Sequence, residues 1–152
     1  MGFAEVKRVV LVSGAAEGET ELNAFDNALL AAGIGDLNLI KVTSILPPHV
    51  EVVDEVPELP RGAFVPIVYT SVCSDVSGER IAAAVGIGRA SDGFGVVMEA
   101  SGHSQEEVEA EVRKKVEEAF RVRSLELTFF KVTSVEHVVR RRGCVVAACL
   151  FF

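Results

Sequence analysis

The chain has 152 residues, of which 49% are hydrophobic and 24% are charged, which is enough apolar material for the core of one domain spanning residues 1–152. Its formal net charge of -7 argues against a nucleic-acid partner, because such proteins neutralise phosphates with basic residues. The longest apolar stretches are well short of the roughly 20 residues that cross a bilayer, so no membrane segment is expected. Composition therefore favours a small-molecule or protein partner.

The first eight residues lack the succession of charged, apolar and small residues that marks a secretory signal, so we expect a cytoplasmic protein. Gly2 does not belong to a myristoylation motif, because Val6 stands where that motif needs Ser or Thr. We therefore predict neither export nor lipid anchoring.

The three cysteines and three histidines form no recognisable ligand pattern. Cys73, Cys144 and Cys149 contain no Cys-x-x-Cys pair, so we expect buried, reduced thiols rather than a disulfide or a zinc site. Glu136 and His137 are adjacent on a predicted strand and should point to opposite faces. We therefore predict no metal site.

The first half of the chain predicts two strands around one helix. Residues 7–13 are rich in β-branched side chains and indicate a strand. Thr20 can cap a helix over residues 21–32, and Gly33 can end it. Residues 37–44 predict a partly buried strand that runs into Pro47 and Pro48, and the acidic, proline-containing residues 51–61 predict a surface loop.

The second half predicts strands on either side of one long helix. Ser104 and Glu107 form a capping box, and apolar residues then recur at helical spacing, at Val108, Val112, Val116 and Phe120. Strands are expected at residues 63–73, 81–88, 94–100, 125–137 and 143–152, the last two as neighbours across the turn at residues 140–143. This succession predicts an α/β (α+β) fold with helices against mainly antiparallel or mixed sheets.

Three segments, in a fixed order along the chain, indicate a specific protein family, and a shorter similarity is present at residues 135–137 and 143–144. Together they cover nearly the whole chain and resemble the pyruvoyl-dependent arginine decarboxylases. The segments are Glu17-Gly18-Glu19-Thr20 with residues 22–26, residues 33–35 with residues 38–48 (Asn-Leu-Ile-Lys-Val-Thr-Ser-Ile-Leu-Pro-Pro), and Val97-Met98-Glu99.

The resemblance implies a proenzyme that cuts itself between Thr43 and Ser44. The products would be a chain of residues 1–43 and a chain of residues 44–152, and Ser44 would become a covalent pyruvoyl group, with no metal and no pyridoxal phosphate. Thr43 departs from the Ser-Ser pair that is frequent in the family, but this residue only supplies the carbonyl group that is attacked. We expect the departure to affect the rate of cleavage.

The resemblance also implies a role for several side chains in decarboxylation of L-arginine to agmatine and CO2. Asn38 would stabilise the oxyanion of self-cleavage, Glu99 would donate a proton to the carbanion, and Asp26 would bind the guanidinium group. Backbone carbonyl groups near Leu22, Gly35 and Leu37 would accept hydrogen bonds from the remaining N–H groups of the guanidinium group. Without the flanking motifs, Thr43 and Ser44 would be interpreted as a hydroxyl pair at the end of a strand. Glu99 would be interpreted as an acid at the end of a strand, and Asp26 as an acid on the surface of a helix.

The same resemblance implies a homotrimer of cleaved protomers in a four-layer α/β/β/α arrangement, with sites between subunits. Two alternatives stay open on the sequence: a pyruvoyl decarboxylase for another amino acid, and a non-catalytic trimeric scaffold of the same fold. Polyamine synthesis and acid resistance are both compatible physiological roles.

Overall fold

A computed structural model describes residues 5–152, and residues 1–4, which include Gly2, lie outside the described part. The described helices are α1 (Glu21–Ala31) and α2 (Gln105–Val122), and neither is long and apolar enough to cross a membrane. The strands are β1 (Arg8–Glu17), β2 (Asn38–Lys41), β3 (Ile45–Leu46), β4 (Glu51–Val53), β5 (Phe64–Ser74), β6 (Arg80–Arg89), β7 (Gly95–Gly102), β8 (Phe129–Val138) and β9 (Gly143–Phe151).

The strands form two sheets that pack face to face. Sheet A has the order β2-β5-β9-β1-β4 and is mixed, because β2 is parallel to β5 and β4 is parallel to β1. Sheet B has the order β3-β7-β6-β8 and is antiparallel. Helix α1 covers the outer face of sheet A and α2 covers the outer face of sheet B. The four-layer α/β/β/α arrangement is thus confirmed.

Strand β9 shows how the sequence determines which side chains enter each layer of the core. Val145, Ala147 and Cys149 belong to the core between the sheets, whereas Val146 and Leu150 belong to the core under α1. Because successive side chains of a strand point to opposite faces, a central strand that is covered on both sides must be apolar throughout. This explains the unbroken apolar C-terminal segment.

Both predicted helices are present, with the predicted caps. The Thr20 hydroxyl accepts a hydrogen bond from the Asn23 amide at 3.1 Å, and the Ser104 hydroxyl accepts one from the Glu107 amide at 3.1 Å. Gly33 follows α1 with a φ of 83°, a conformation that glycine adopts without steric cost. These caps satisfy amide groups that have no partner within the helix.

The expected pairing of the last two strands is wrong. Strand β8 pairs with β6 at the edge of sheet B, whereas β9 lies between β5 and β1 in the centre of sheet A. The turn between them crosses from one sheet to the other, and the Glu17 carboxylate accepts hydrogen bonds there from the Arg141 and Arg142 amides, at 2.8 and 3.1 Å. A short turn alone therefore did not indicate a hairpin.

Two further boundaries differ from the prediction. The strand expected over residues 37–44 ends at Lys41, because the chain leaves sheet A there and crosses to sheet B. The loop expected over residues 51–61 begins with the short strand β4, which adds to the edge of sheet A beside β1.

The expectation of three reduced thiols is also wrong. Cys73 and Cys144 are joined as a disulfide, while Cys149 is a buried free thiol whose pKa is raised to about 12 by desolvation. Cys73 and Cys144 are directly opposite each other in the antiparallel β5–β9 pair, which brings their Cβ atoms close. Their separation of 71 residues gave no hint of this register.

Candidate active site

The segment of residues 42–44, which we call the inter-sheet segment, connects the edge of sheet A to the edge of sheet B. The Val42 amide donates to the Ile67 carbonyl oxygen of β5 at 2.9 Å, and the Ser44 carbonyl oxygen accepts from the Val97 amide of β7 at 2.7 Å. Thr43 is exposed and Ser44 is half-buried. The Thr43–Ser44 peptide is therefore held by one sheet on each side.

Backbone conformation does not single out this peptide. Among the described residues other than glycine, Ser124 alone has a positive φ, so neither Thr43 nor Ser44 lies in the left-handed region. Left-handed backbone strain is therefore not a feature of this peptide.

Ser44 and Glu99 lie close together on neighbouring strands. Ile45 of β3 is opposite Val96 of β7, so continuation of this antiparallel register places Ser44 opposite Val97 and diagonal to Glu99. Val97 belongs to the core between the sheets, and Glu99, two residues later, shares its face of the strand. A hydroxyl group and a carboxyl group thus lie on the same face, as diagonal neighbours, at the edge of the inter-sheet core.

The surroundings of Glu99 favour its neutral form. Desolvation raises the pKa of this half-buried carboxyl group above its ordinary value, although Lys41 and Lys115 act in the opposite direction. The Lys41 Nζ lies 4.0 Å from the Glu99 Oε1, and the Lys115 Nζ donates to the Glu99 backbone carbonyl oxygen at 2.8 Å. A raised pKa is the direction that a proton donor near neutral pH requires.

The expected substrate-binding residues lie on α1 and in the segment that precedes β2. Leu22 and Asp26 are exposed on α1, spaced four residues apart, so they lie on one stripe of the helix with Leu30. Gly35 and Leu37 line a cavity of about 540 Å³ whose wall also includes Leu30, Asp36 and residues 56–61. This cavity opens beside α1, on the outer side of sheet A.

Asp26 and Glu99 lie on opposite sides of sheet A. Asp26 is on the helix that covers the outer face of sheet A, whereas Glu99 points between the sheets. The first and last residues of β2 are about 10 Å apart. Asn38 stands at the far end of β2 from Ser44, and its side-chain amide donates to the Gly62 carbonyl oxygen at 2.8 Å. The structure therefore places Thr43 and Ser44 near Glu99, whereas Asn38 is at the other end of β2 and Asp26 is on the outer side of sheet A.

Comparison with known proteins supplies the context for this geometry. A family model described as pyruvoyl-dependent arginine decarboxylase matches residues 8–152. The chain belongs to this family. Relatives of that name include one from Pyrococcus furiosus, which is 45% identical over 156 residues, covering 100% of this chain and 99% of the relative. Another, from Methanocaldococcus jannaschii, is 47% identical over 143 residues, covering 92% of this chain and 86% of the relative.

A third relative of the same name, from Methanothermobacter thermautotrophicus, is 46% identical over 148 residues, covering 96% of this chain and 97% of the relative. All three are pyruvoyl-dependent arginine decarboxylases by name, so the family is one of enzymes. Full-length coverage at this identity means that the fold and the inter-sheet segment belong to the region compared.

The inter-sheet segment fits a family that depends on a pyruvoyl group. Ser44 supplies a hydroxyl beside a carbonyl group held by both sheets, and Glu99 supplies a carboxyl group whose pKa is raised by desolvation. Within residues 5–152 there is no cluster of three or more His, Cys, Asp or Glu side chains that could hold a metal ion.

Sequence reasoning assigned no role to Lys41 or Tyr69. The Lys41 Nζ lies 5.0 Å from the centroid of the Tyr69 ring, and that ring packs against Phe25 of α1 at a centroid distance of 6.2 Å. A basic residue three positions before Ser44 was the one available signal for Lys41. For Tyr69 the sequence held no signal, because its neighbours come from other strands.

Proposed function

We propose that this member of the pyruvoyl-dependent arginine decarboxylase family cleaves itself at Thr43–Ser44 and then decarboxylates L-arginine to agmatine. The observation that carries the proposal is the proximity of Ser44 and Glu99 where the chain crosses between the sheets. The names of the relatives support arginine as the substrate.

Self-cleavage uses groups of the chain alone. The Ser44 hydroxyl oxygen attacks the Thr43 carbonyl carbon, the peptide C–N bond breaks, and an ester between the two residues results. Elimination then releases the Thr43 carboxylate and leaves dehydroalanine at position 44, and water replaces its nitrogen as ammonia to give the pyruvoyl group. Asn38 can donate to the oxyanion only if its amide leaves the Gly62 carbonyl oxygen or comes from another copy of the chain.

The pyruvoyl group supplies an electron sink for the electrons that remain when CO2 leaves. Glu99 returns a proton to the carbon that loses CO2, and desolvation, which raises its pKa, favours the neutral form that this step requires. Asp26 accepts hydrogen bonds from the planar guanidinium group, while backbone carbonyl groups near Leu22, Gly35 and Leu37 take the remaining donors.

The separation of Asp26 and Glu99 supports a homotrimer with shared sites. In one chain, Asp26 lies on the helix outside sheet A and Glu99 faces between the sheets, an arrangement compatible with an arginine site that takes Asp26 from one copy and Glu99 from its neighbour. Two large apolar side chains, Leu22 of α1 and Phe64 of β5, are each 74% exposed. Such an assembly would cover them. A monomeric mass in light scattering would contradict this part of the proposal.

Replacement of Asp26 tests the choice of substrate. We expect Asp26→Asn to lower kcat/KM for arginine by about 10- to 200-fold, because one charged hydrogen-bond partner of the guanidinium group is lost. The measurement is agmatine formation by the cleaved protein, with Glu21→Gln as a control that removes the same charge from α1. Unchanged arginine turnover in Asp26→Asn would mean that another group selects the substrate.

A further inference from the structure

Lys41 lies at the junction of three strands next to the Thr43–Ser44 bond. Its Nζ is 4.0 Å from the Glu99 Oε1 of β7 and 5.0 Å from the centroid of the Tyr69 ring of β5. Its backbone is fixed as well, because Lys41 ends β2 and the following Val42 amide binds the Ile67 carbonyl oxygen. The Lys41 side chain is 59% exposed, and its ammonium group lies beside both the aromatic ring and the carboxyl group.

The charged groups around Glu99 come from two elements. Lys41 of β2 faces the carboxyl group, and Lys115 of α2 binds the backbone carbonyl oxygen from the other face of sheet B. On β6 the residue opposite Glu99 is Val85, which has no charge. Among the described residues, Lys41 is the ion-pair partner of the Glu99 carboxyl group.

We propose that Lys41 is a positioning residue, which holds the Glu99 carboxyl group and sets the upper pH limit at which that group can donate a proton. This inference rests on the proposed role of Glu99 in decarboxylation. It goes further because the residue that controls proton donation by Glu99 would belong to the other product of self-cleavage. Lys41 lies in residues 1–43 and Glu99 in residues 44–152.

The physical basis is a balance of two opposing effects on one carboxyl group. Desolvation favours the neutral form of Glu99 and raises its pKa, whereas a fixed ammonium group favours the charged form and lowers it. Without Lys41 the pKa of Glu99 would be higher. The carboxyl group would then keep its proton to a higher pH but would lose a contact that fixes its orientation.

The test is the pH dependence of kcat in Lys41→Gln, Lys41→Arg and Lys115→Gln, after intact mass has established the cleavage state of each protein. We expect the alkaline limb of kcat to move to higher pH in Lys41→Gln, because the coulombic effect of Lys41 lowers the pKa of Glu99. Lys41→Arg should restore the limb toward its original position. Lys115→Gln should give a smaller shift than Lys41→Gln, because the Lys115 ammonium group binds the backbone rather than the carboxyl group.

A limb that stays in place in Lys41→Gln would overturn the inference. So would an increase in KM for arginine at every pH with an unmoved limb, because Lys41 would then be binding the substrate. If the unaltered protein does not turn over arginine, the proposed function fails instead. Titration of the Glu99 carboxyl carbon by NMR then still decides the inference, since it needs neither turnover nor cleavage and Ser44→Ala provides the uncleaved reference.

Discussion

Glu17 connects β1 to the end of β8 and to the turn that follows it through a single carboxylate. It accepts hydrogen bonds from the Arg141 and Arg142 amides at 2.8 and 3.1 Å, and its Oε2 lies 2.6 Å from the His137 Nε2. Desolvation raises the pKa of Glu17, but these hydrogen bonds outweigh it and lower the pKa from 4.5 to about 2. Glu17 belongs to β1, whereas its partners lie near the end of β8 and on the turn between β8 and β9.

This residue predicts a pH dependence of stability. Because the folded-state pKa is below the unfolded one, the contribution of Glu17 is present above about pH 4.5 and is lost as the pH falls toward 2. Thermal unfolding at fixed protein concentration should show Glu17→Gln less stable than the original protein at pH 7, with the difference shrinking toward pH 2. Glu126→Gln, at an exposed position, is the control. An equal difference at both pH values would contradict this assignment.

At the scale of elements, local signals were sufficient for the helices and most strands. The caps at Thr20 and Ser104 act within three residues, so the sequence contains all the information that they need. The choice of sheet is different, because it depends on partners far along the chain. A short turn between β8 and β9 is compatible both with a hairpin and with a crossing between sheets, and Glu17, more than 120 residues away in sequence, helps to hold the crossing.

The candidate site shows the same division. The motif containing Thr43 and Ser44 could be recognised in the sequence, but its position between two sheet edges depends on pairing with β5 and β7. The Cys73–Cys144 disulfide was missed for the same reason. Lys41 was part of the motif, yet its contact with Glu99 could not be seen without the register of both sheets.

The contact between α1 and β1 gives a prediction at this scale. A Cβ atom at Gly14 would lie 2.5 Å from the Ala28 carbonyl oxygen and 2.6 Å from the Ala32 nitrogen, so α1 would have to move away from sheet A. We expect Gly14→Ala to lower the free energy of unfolding by about 1 to 3 kcal/mol. It should also raise KM for arginine, because α1 carries Asp26.

Gly88→Ala is the matched control for this prediction. A Cβ atom there would meet side chains of α2 and of the following segment, Val116 and Leu127, and would therefore disturb the other helix. It should lower stability without the increase in KM. If the two variants raise KM equally, the effect follows from lost stability rather than from displacement of α1.

The whole molecule explains why self-cleavage need not separate the products. Strand β1 of residues 1–43 lies inside sheet A, paired with β9 along Val9 to Glu17 and with β4 on its other side. Strand β2 pairs with β5, so both strands of the short chain remain bound to strands of the long one. We expect the cleaved chains to stay associated.

A shared site predicts complementation between inactive variants. Asp26→Asn and Glu99→Gln should each be at least about 10-fold less active alone, but assemblies formed from an equal mixture should contain some sites with both original residues. Random assembly predicts about one quarter of the original activity if Asp26 and Glu99 come from different subunits. The measurement is arginine turnover after the variants are unfolded and refolded together, with each variant refolded alone as the control. No recovery would place both residues in the same subunit.

The central claim is that Ser44 becomes a pyruvoyl group, and intact mass spectrometry of the purified protein tests it most directly. We predict two chains, residues 1–43 and residues 44–152, the longer one lighter by one ammonia than a chain that begins with an intact Ser44. The Ser44→Ala variant should remain a single chain. A single uncleaved species of 16.2 kDa in the original protein would contradict the account, and so would a long chain that begins with unmodified serine.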